Sequence, residues 1–264
     1  MTDAPAHLVE VDGEPATAAQ LPTVLSGYGH FTAMQVRDGR VRGLRFHLAR
    51  LDGATRELFG TGLDGERVRD LVGHALSSAG RGDASVRVHA YQPQDTPGAP
   101  VTLVVAVRPP GQMAPGPLRV KSVAYQRPAA HLKHLGGFGQ SYHLRRVAAE
   151  GFDEALLTGP GGEIAEGAVT NIGFATGGTV VWPTAPHLRG VTLQVLEELL
   201  DAAGIPQVRR PLRLADVPGH DGAFLANSRG TASISRIDDT PLPTDAELLA
   251  RIGELYESAP WDAI

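Results

Sequence analysis

The ten residues from Arg108 to Pro117 include Pro109, Pro110, Gly111, Pro115, Gly116 and Pro117. Proline fixes φ and withholds an N–H, so neither a helix nor a central strand runs through such a stretch. The segment acts as a stiff connector and divides the 264-residue chain into two parts. That length suits one large domain or two modest ones.

Before the connector, Val9 to Val11 predicts a short strand followed by a Gly/Pro turn. His30 to Val36 and Arg40 to Leu44 flank Asp38-Gly39, a hairpin signal. Leu48, Leu51, Ala54, Thr55 and Leu58 recur at helical spacing and predict a helix over His47 to Leu58. A second helix is expected from Gly65 to Ala79. Ser85 to Tyr91 and Val101 to Val107 are β-rich and are separated by a Pro/Gly loop.

After the connector, Leu118 to Tyr125 alternates like a strand and Gln140 to Glu150 reads as a helix. Glu154 to Thr158 and Glu163 to Ala165 enclose Gly159-Pro160-Gly161-Gly162, a hairpin. Asn171 to Ala175 and Val180 to Trp182 enclose Gly177-Gly178, another hairpin. Val191, Val195, Leu196, Leu199, Leu200 and Ala203 share one helical face, and Gly204 stops that helix. Ala223 to Ala226 reads as a strand and Ala246 to Ser258 as a closing helix. Paired strands interrupted by single helices indicate mixed α/β or α+β halves, not a regular βαβ alternation.

Composition narrows the functional classes. The chain has no cysteine, which excludes disulfides, thiolate catalysis and thiolate-bound zinc and fits a reducing cytoplasm. A net charge of −5 argues against non-specific nucleic-acid binding. The opening Met-Thr-Asp-Ala-Pro does not read as a secretory leader. The longest strongly apolar run, Val101 to Val107, is far too short to span a bilayer. His131, His134 and His143 lack a carboxylate at ligand spacing, so no metal site is expected. Gly136-Gly137-Phe138-Gly139 is not followed by Gly-Lys-Ser/Thr and is not a nucleotide loop. Ala226-x-Ser228-x-Gly230 resembles a nucleophile elbow without its first glycine or a clear acid–base order.

Only two lysines, Lys121 and Lys133, stand against 22 arginines. An ε-amine can lose its proton and condense with an aldehyde, which a guanidinium cannot do. Lys133 lies in the polar, glycine-rich run His131-Leu-Lys-His-Leu-Gly-Gly-Phe138. Condensation with pyridoxal 5'-phosphate would also need a carboxylate at the pyridine nitrogen and a phosphate cup. Glu166, Gly190-Val191-Thr192 and Arg50 are candidates for those parts. Taken singly, they better fit a turn residue, plain helix capping and an exposed helix arginine.

Five blocks in order make the combination specific. They are Tyr28-Gly-His-Phe-Thr32 with Val36-Arg-Asp-Gly-Arg-Val41, then His47-Leu-Ala-Arg50-Leu51, then Gly151-Phe-Asp-Glu-Ala-Leu-Leu157, then Glu166 to Asn171-Ile172, then Leu188-Arg-Gly-Val-Thr192. The chain resembles the class IV aminotransferases, the fold-type IV pyridoxal phosphate enzymes. These include branched-chain and D-amino acid aminotransferases and aminodeoxychorismate lyase. The resemblance implies a two-domain α/β fold, with a smaller domain over residues 1–110, a linker over 111–117 and a larger domain over 118–264. It also implies a cytoplasmic homodimer with the cofactor between the domains. Lys133 would form the Schiff base and shuttle the Cα proton. Glu166 would contact the pyridine nitrogen, and Arg50, Val191 and Thr192 would bind phosphate. A further phosphate ligand is expected at Ser228, with Thr231 as the alternative.

The expected activity moves an amino group between an amino acid or amine and a 2-oxo acid. A β-eliminating lyase and a non-catalytic binding relative are the rivals. Leu132-Lys133-His134-Leu135 is closer to the lyase, yet Ala33 stands where the lyase has a threonine hydroxyl. Phe138 replaces the tyrosine that many family aminotransferases place five residues after the lysine. Trp182-Pro183 and Leu193 also depart from the family pattern. Arg87, Arg145, Arg189, Arg229, His30 and His89 are left as candidates for the substrate pocket.

Overall fold

The computed structural model describes residues 7–20, 27–93 and 98–264. The opening five residues, and part of the loop before Val101, lie outside them. The chain forms two compact units, one of Met1–Gly111, Leu132–Gly136 and Pro260–Ile264, the other of Gln112–His131 and Gly137–Ala259. This partition differs from two contiguous domains split at the connector, because two later segments belong to the first unit.

The first unit contains β1 (Leu8–Val11), β2 (Glu14–Pro15), β3 (His30–Arg37), β4 (Arg40–Val41), α1 (Leu44–Phe59), α2 (Gly65–Ser78), β5 (Ala84–Tyr91) and β6 (Thr102–Arg108). Its seven strands run in the order Asp262–Ala263, β4, β3, β5, β6, β1, β2. Every named pairing in this sheet is antiparallel. Asp38 and Gly39 both adopt positive φ, the geometry of a tight hairpin between right-twisted strands. Side chains alternate across a strand. Met34, Val36, Val86, Val88, Leu103, Val105 and Val107 therefore pack in one core with Leu44, Leu51, Val68 and Val72 of the helices. The odd-numbered residues Phe31, Ala33 and Gln35 take the other face.

Helix α1 starts three residues before the expected His47. Its N-cap, Gly43, has no side chain to offer, and Asp262 Oδ2 accepts the Leu44 N–H at 2.9 Å instead. A carboxylate at a helix N-terminus satisfies a free donor and complements the helix dipole. The beginning of the helix that carries His47 and Arg50 is thus capped by the terminal strand.

The second unit contains β7 (Leu118–Ala124), α3 (Phe138–Ala149), β8 (Glu154–Thr158), β9 (Ile164–Gly167), β10 (Asn171–Thr176), β11 (Thr179–Pro183), α4 (Val191–Ala202), β12 (Gln207–Arg210), β13 (Gly222–Asn227), β14 (Gly230–Ile237), β15 (Thr240–Pro241) and α5 (Glu247–Glu257). The strand order is β12-β11-β10-β13-β14-β7-β8-β9, with β15 on β14. β14–β7, β7–β8 and β11–β12 are parallel, so the sheet is mixed. Phe174, Ile172, Leu225, Ile234, Leu156 and Ile164 form its central core. No helix of the described residues is long and apolar enough to cross a membrane.

Candidate active site

Each unit gathers its own set of polar residues. In the first unit, residues 133–135 pair with the start of β3, on the side that β4 takes up only at Val36 and Arg37. Phe31 donates its N–H to the Lys133 carbonyl at 2.9 Å, Leu135 donates to Gly29 at 2.9 Å, and His30 and His134 form an antiparallel bridge. That register sets Lys133 opposite Phe31 on the face turned away from the helices. Its ammonium lies 4.9 Å from the centre of the Phe31 ring.

The helix side of β3 carries a different cluster. Arg50 donates to the Thr32 hydroxyl, and that hydroxyl lies 2.6 Å from Nδ1 of buried His47. Thr32, His47 and Arg50 thus form one buried polar cluster, with Arg50 Nη2 also 3.4 Å from His47 Nδ1. Burial first, then the charges of Arg50 and Lys133, hold the His47 pKa well below its ordinary value. His30 bonds Thr55 Oγ1 at 2.9 Å, and burial together with Arg50 lowers its pKa to about 4. Arg50 contacts Thr32 and His47, both neutral, and its Nε is buried without a partner. Burial alone lowers its pKa to about 10. A half-buried guanidinium with an unused donor suits an anion such as phosphate.

In the second unit, Glu166 is the penultimate residue of β9, is 5% exposed and is ion-paired with Arg127 at 2.8 Å. Arg127 also donates to the Ala130 carbonyl at 3.0 Å, and the other Glu166 oxygen accepts the Leu188 N–H at 3.2 Å. Burial raises the Glu166 pKa, while Arg127 opposes that shift. Asn171, first in β10, donates to the Leu188 carbonyl at 2.7 Å. A Cβ on Gly190 would lie 2.0 Å from Asn171 Oδ1, so the close approach needs glycine there. Leu188 and Gly190 thus tie Glu166 to the start of α4, where Val191 and Thr192 are buried and no side chain caps the helix. First-turn N–H groups of such a helix suit an anion.

Ser228 sits in the turn between β13 and β14. Neighbouring Asn227 donates to the Val169 carbonyl at 3.3 Å, two residues past Gly167. The Ser228 turn therefore lies at the same sheet end as Glu166. Thr231 is two positions into β14, and a methyl on Gly253 of α5 would lie 3.9 Å from its hydroxyl. Buried Glu154 holds the intervening turn by accepting from the Thr170 hydroxyl at 3.1 Å.

Phe138 is 80% exposed and stacks on Tyr142 along α3, so its ring is spent on the surface of that helix. Arg127 was not anticipated, because one arginine among 22 carries no distinguishing pattern. Thr32 was visible only as part of a block, and its link to Arg50 depends on strand–helix packing. Among the described residues no group of His, Asp and Glu is placed to hold a metal ion.

Known proteins resemble this chain in sequence and fold. The family profile "Amino-transferase class IV" matches residues 29–237. A bifunctional aminodeoxychorismate lyase / D-amino acid transaminase of Mycobacterium tuberculosis (strain H37Rv) is 28% identical over 279 residues, covering 93% of this chain and 96% of that one. The crystal structure of a branched-chain aminotransferase from Thermoproteus uzoniensis with norvaline superposes with a TM-score of 0.84 at 22% identity, covering 95% of this chain and 93% of that one. A hypothetical aminotransferase from Mycobacterium tuberculosis, in a PLP-bound form, gives 0.82 at 24% identity, covering 95% and 97%.

Proposed function

This chain belongs to the class IV aminotransferases, and we propose that it moves an amino group between an amino acid or amine and a 2-oxo acid with pyridoxal 5'-phosphate held by Lys133. When bound, the cofactor supplies an electron sink for charge developing at the substrate Cα. The remaining work falls to the side chains. The Lys133 amine holds the cofactor and then carries the Cα proton. Arg50, the N–H groups of Val191 and Thr192, the Thr192 hydroxyl and Ser228 hold the phosphate. Glu166 faces the ring nitrogen, and Arg127 opposes the tendency of burial to neutralise it.

What supports this reading lies within each unit taken by itself: the Arg50 Nε is buried without a partner, and α4 starts uncapped behind Gly190, each suited to phosphate. Ser228 is preferred to Thr231 because its turn is tied to Val169, beside Glu166. A cytoplasmic homodimer is the assembly that accompanies the reading, and the absence of cysteine suits that compartment.

The β-eliminating lyase is the second reading, favoured by Leu132-Lys133-His134-Leu135 and by the bifunctional relative. Ala33 opposes it, since it offers no hydroxyl. A panel of amino donors in both enantiomers, read by keto-acid formation, tests the proposal. Wild-type protein should transfer the amino group and Lys133→Ala should not. Release of p-aminobenzoate from aminodeoxychorismate without amino transfer would replace the first reading with the second.

A further inference from the structure

In the second unit, residues Gly167 to Thr170 link Glu166 to Asn171 and close around the carboxyl of Glu154. Glu154 opens β8 and is buried. One of its oxygens accepts the Ala155 N–H at 2.9 Å, and the other accepts the Thr170 hydroxyl at 3.1 Å. Gly167 donates to the Thr170 carbonyl at 2.9 Å, which shuts the turn. A Cβ on Gly167 would lie 2.0 Å from the Thr170 hydroxyl and 3.2 Å from the Glu154 carboxyl carbon, so the close fit needs glycine. Val169, at the tip, points its large apolar side chain to solvent, and so contributes little packing. Burial raises the Glu154 pKa to about 7, while hydrogen bonds from Ala155, Thr170, Val169 and Ala168 oppose that rise. The carboxyl therefore gathers donors from three successive residues of the turn.

Three attachments leave this turn, one at each end and one at its tip. Glu166 precedes it directly. Asn171 follows it and donates to the Leu188 carbonyl at 2.7 Å, while the Leu188 N–H returns to Glu166 at 3.2 Å. The Val169 carbonyl accepts from Asn227 at 3.3 Å, beside Ser228. Removing the acceptor beneath the turn would leave a buried hydroxyl and buried N–H groups unpaired, which is costly. An exposed turn escapes that cost by swinging its donors to water. Glu166, Leu188 and the Ser228 turn would then move with it.

We infer that Glu154 is a positioning residue for the cofactor, whose carboxyl holds the Gly167–Thr170 turn and through it fixes Glu166, the approach to α4 and the Ser228 turn in one arrangement. The inference rests on the reading that Glu166, the start of α4 and Ser228 hold pyridoxal 5'-phosphate. Glu154 acts through the turn, and its role is to accept hydrogen bonds. Small displacements of the groups that hold a bound molecule are enough to weaken it severely.

The test titrates wild type, Glu154→Met, Glu154→Gln and Thr170→Val with pyridoxal 5'-phosphate, reading both Kd and the visible band of the bound cofactor. Val217→Ala, a cavity in the core of the same unit, controls for lost stability alone. Glu154→Met should weaken Kd about tenfold or more, the scale of one lost hydrogen bond to a charged group, and should shift the band. Glu154→Gln keeps an acceptor oxygen and can donate to the Thr170 hydroxyl, so it should restore most of the affinity and the wild-type band. Thr170→Val should weaken Kd by less than Glu154→Met. Val217→Ala should lower Tm and leave Kd and the band unchanged. A wild-type Kd and band in Glu154→Met would overturn the role of Glu154, as would a Glu154→Gln no better than Glu154→Met. A Kd weakened equally by Val217→Ala would overturn it too. Should Glu154→Met fail to fold, an unchanged Kd and band in Thr170→Val would overturn it. A wild type that takes up no cofactor would instead overturn the parent reading.

Discussion

Glu166 and Arg127 form a buried ion pair at 2.8 Å, with side chains only 6% and 4% exposed. Two charges taken out of water together depend on each other, and removing one leaves the other uncompensated. Arg127→Met should therefore destabilise the protein by roughly 3–5 kcal/mol. The double variant Arg127→Met/Glu166→Gln should recover part of that loss. Chemical unfolding of Arg127→Met, Glu166→Gln and the double variant in a double-mutant cycle measures the coupling, and additive effects would show that the pair is not coupled.

Arg50 should reveal its phosphate role without any turnover. Loss of a charge-assisted bond is worth about 1.5–3 kcal/mol, or roughly a 10–100-fold weaker Kd. Arg50→Ala should weaken pyridoxal phosphate binding by that factor in a titration. Inorganic phosphate should raise the Tm of wild type more than that of Arg50→Ala. Equal protection of both proteins would remove Arg50 from the phosphate cup.

Gly190 is tested by adding a single methyl. Its Cβ would meet Asn171 Oδ1 at 2.0 Å, a distance real atoms do not tolerate. Gly190→Ala should weaken cofactor binding and lower Tm, and adding Asn171→Ala should restore Tm more than affinity. That difference would arise because Asn171 also anchors the Leu188 carbonyl.

The pH dependence of stability contains opposing contributions. Burial raises the Glu154 pKa from 4.5 to about 7. The folded state then binds more protons than the unfolded one between those values, so this contribution to stability is lost as pH rises from about 4.5 to 7. Its size is about 3 kcal/mol at most. His30 acts in the reverse sense. Its pKa falls from 6.5 to about 4, so stability is lost as pH drops through that window. The two windows overlap, so the slopes largely cancel in wild-type unfolding free energies from pH 4 to 8, and the variants separate them. Glu154→Gln should steepen the gain in stability with rising pH, and His30→Gln should flatten it. No change in slope for Glu154→Gln would show that its carboxyl titrates alike in the folded and unfolded chains.

Much of this arrangement was legible because its signals are local. Asp38-Gly39 and the spacing of Leu48, Leu51, Ala54 and Thr55 fixed a hairpin and a helix within a few residues of β3, β4 and α1. β14 was missed: Gly230-Thr-Ala-Ser-Ile-Ser-Arg-Ile237 has small and polar residues where a strand usually shows branched ones. It is held by pairing with β13 and β7, which a local pattern does not encode. Gln207–Arg210 was missed for the same reason, being a polar edge strand on β11. Arg50, Glu166, Val191 and Thr192 were singled out from ordered blocks, and Lys133 from the scarcity of lysine and its glycine-rich setting. Arg127 and the Thr32–His47–Arg50 chain depend on distances between distant segments and could not be read.

Residues 132–136 join a unit begun a hundred residues earlier and bridge to its β3, and Asp262 caps a helix more than two hundred residues upstream. A gene cut at the proline-rich connector would encode a truncated sheet, a bare helix end and an aromatic ring stripped of its amine. The stretch that looks most separable is therefore a poor place for recombination. Swapping halves between relatives would exchange incomplete parts, so descent should keep both halves of such a gene together.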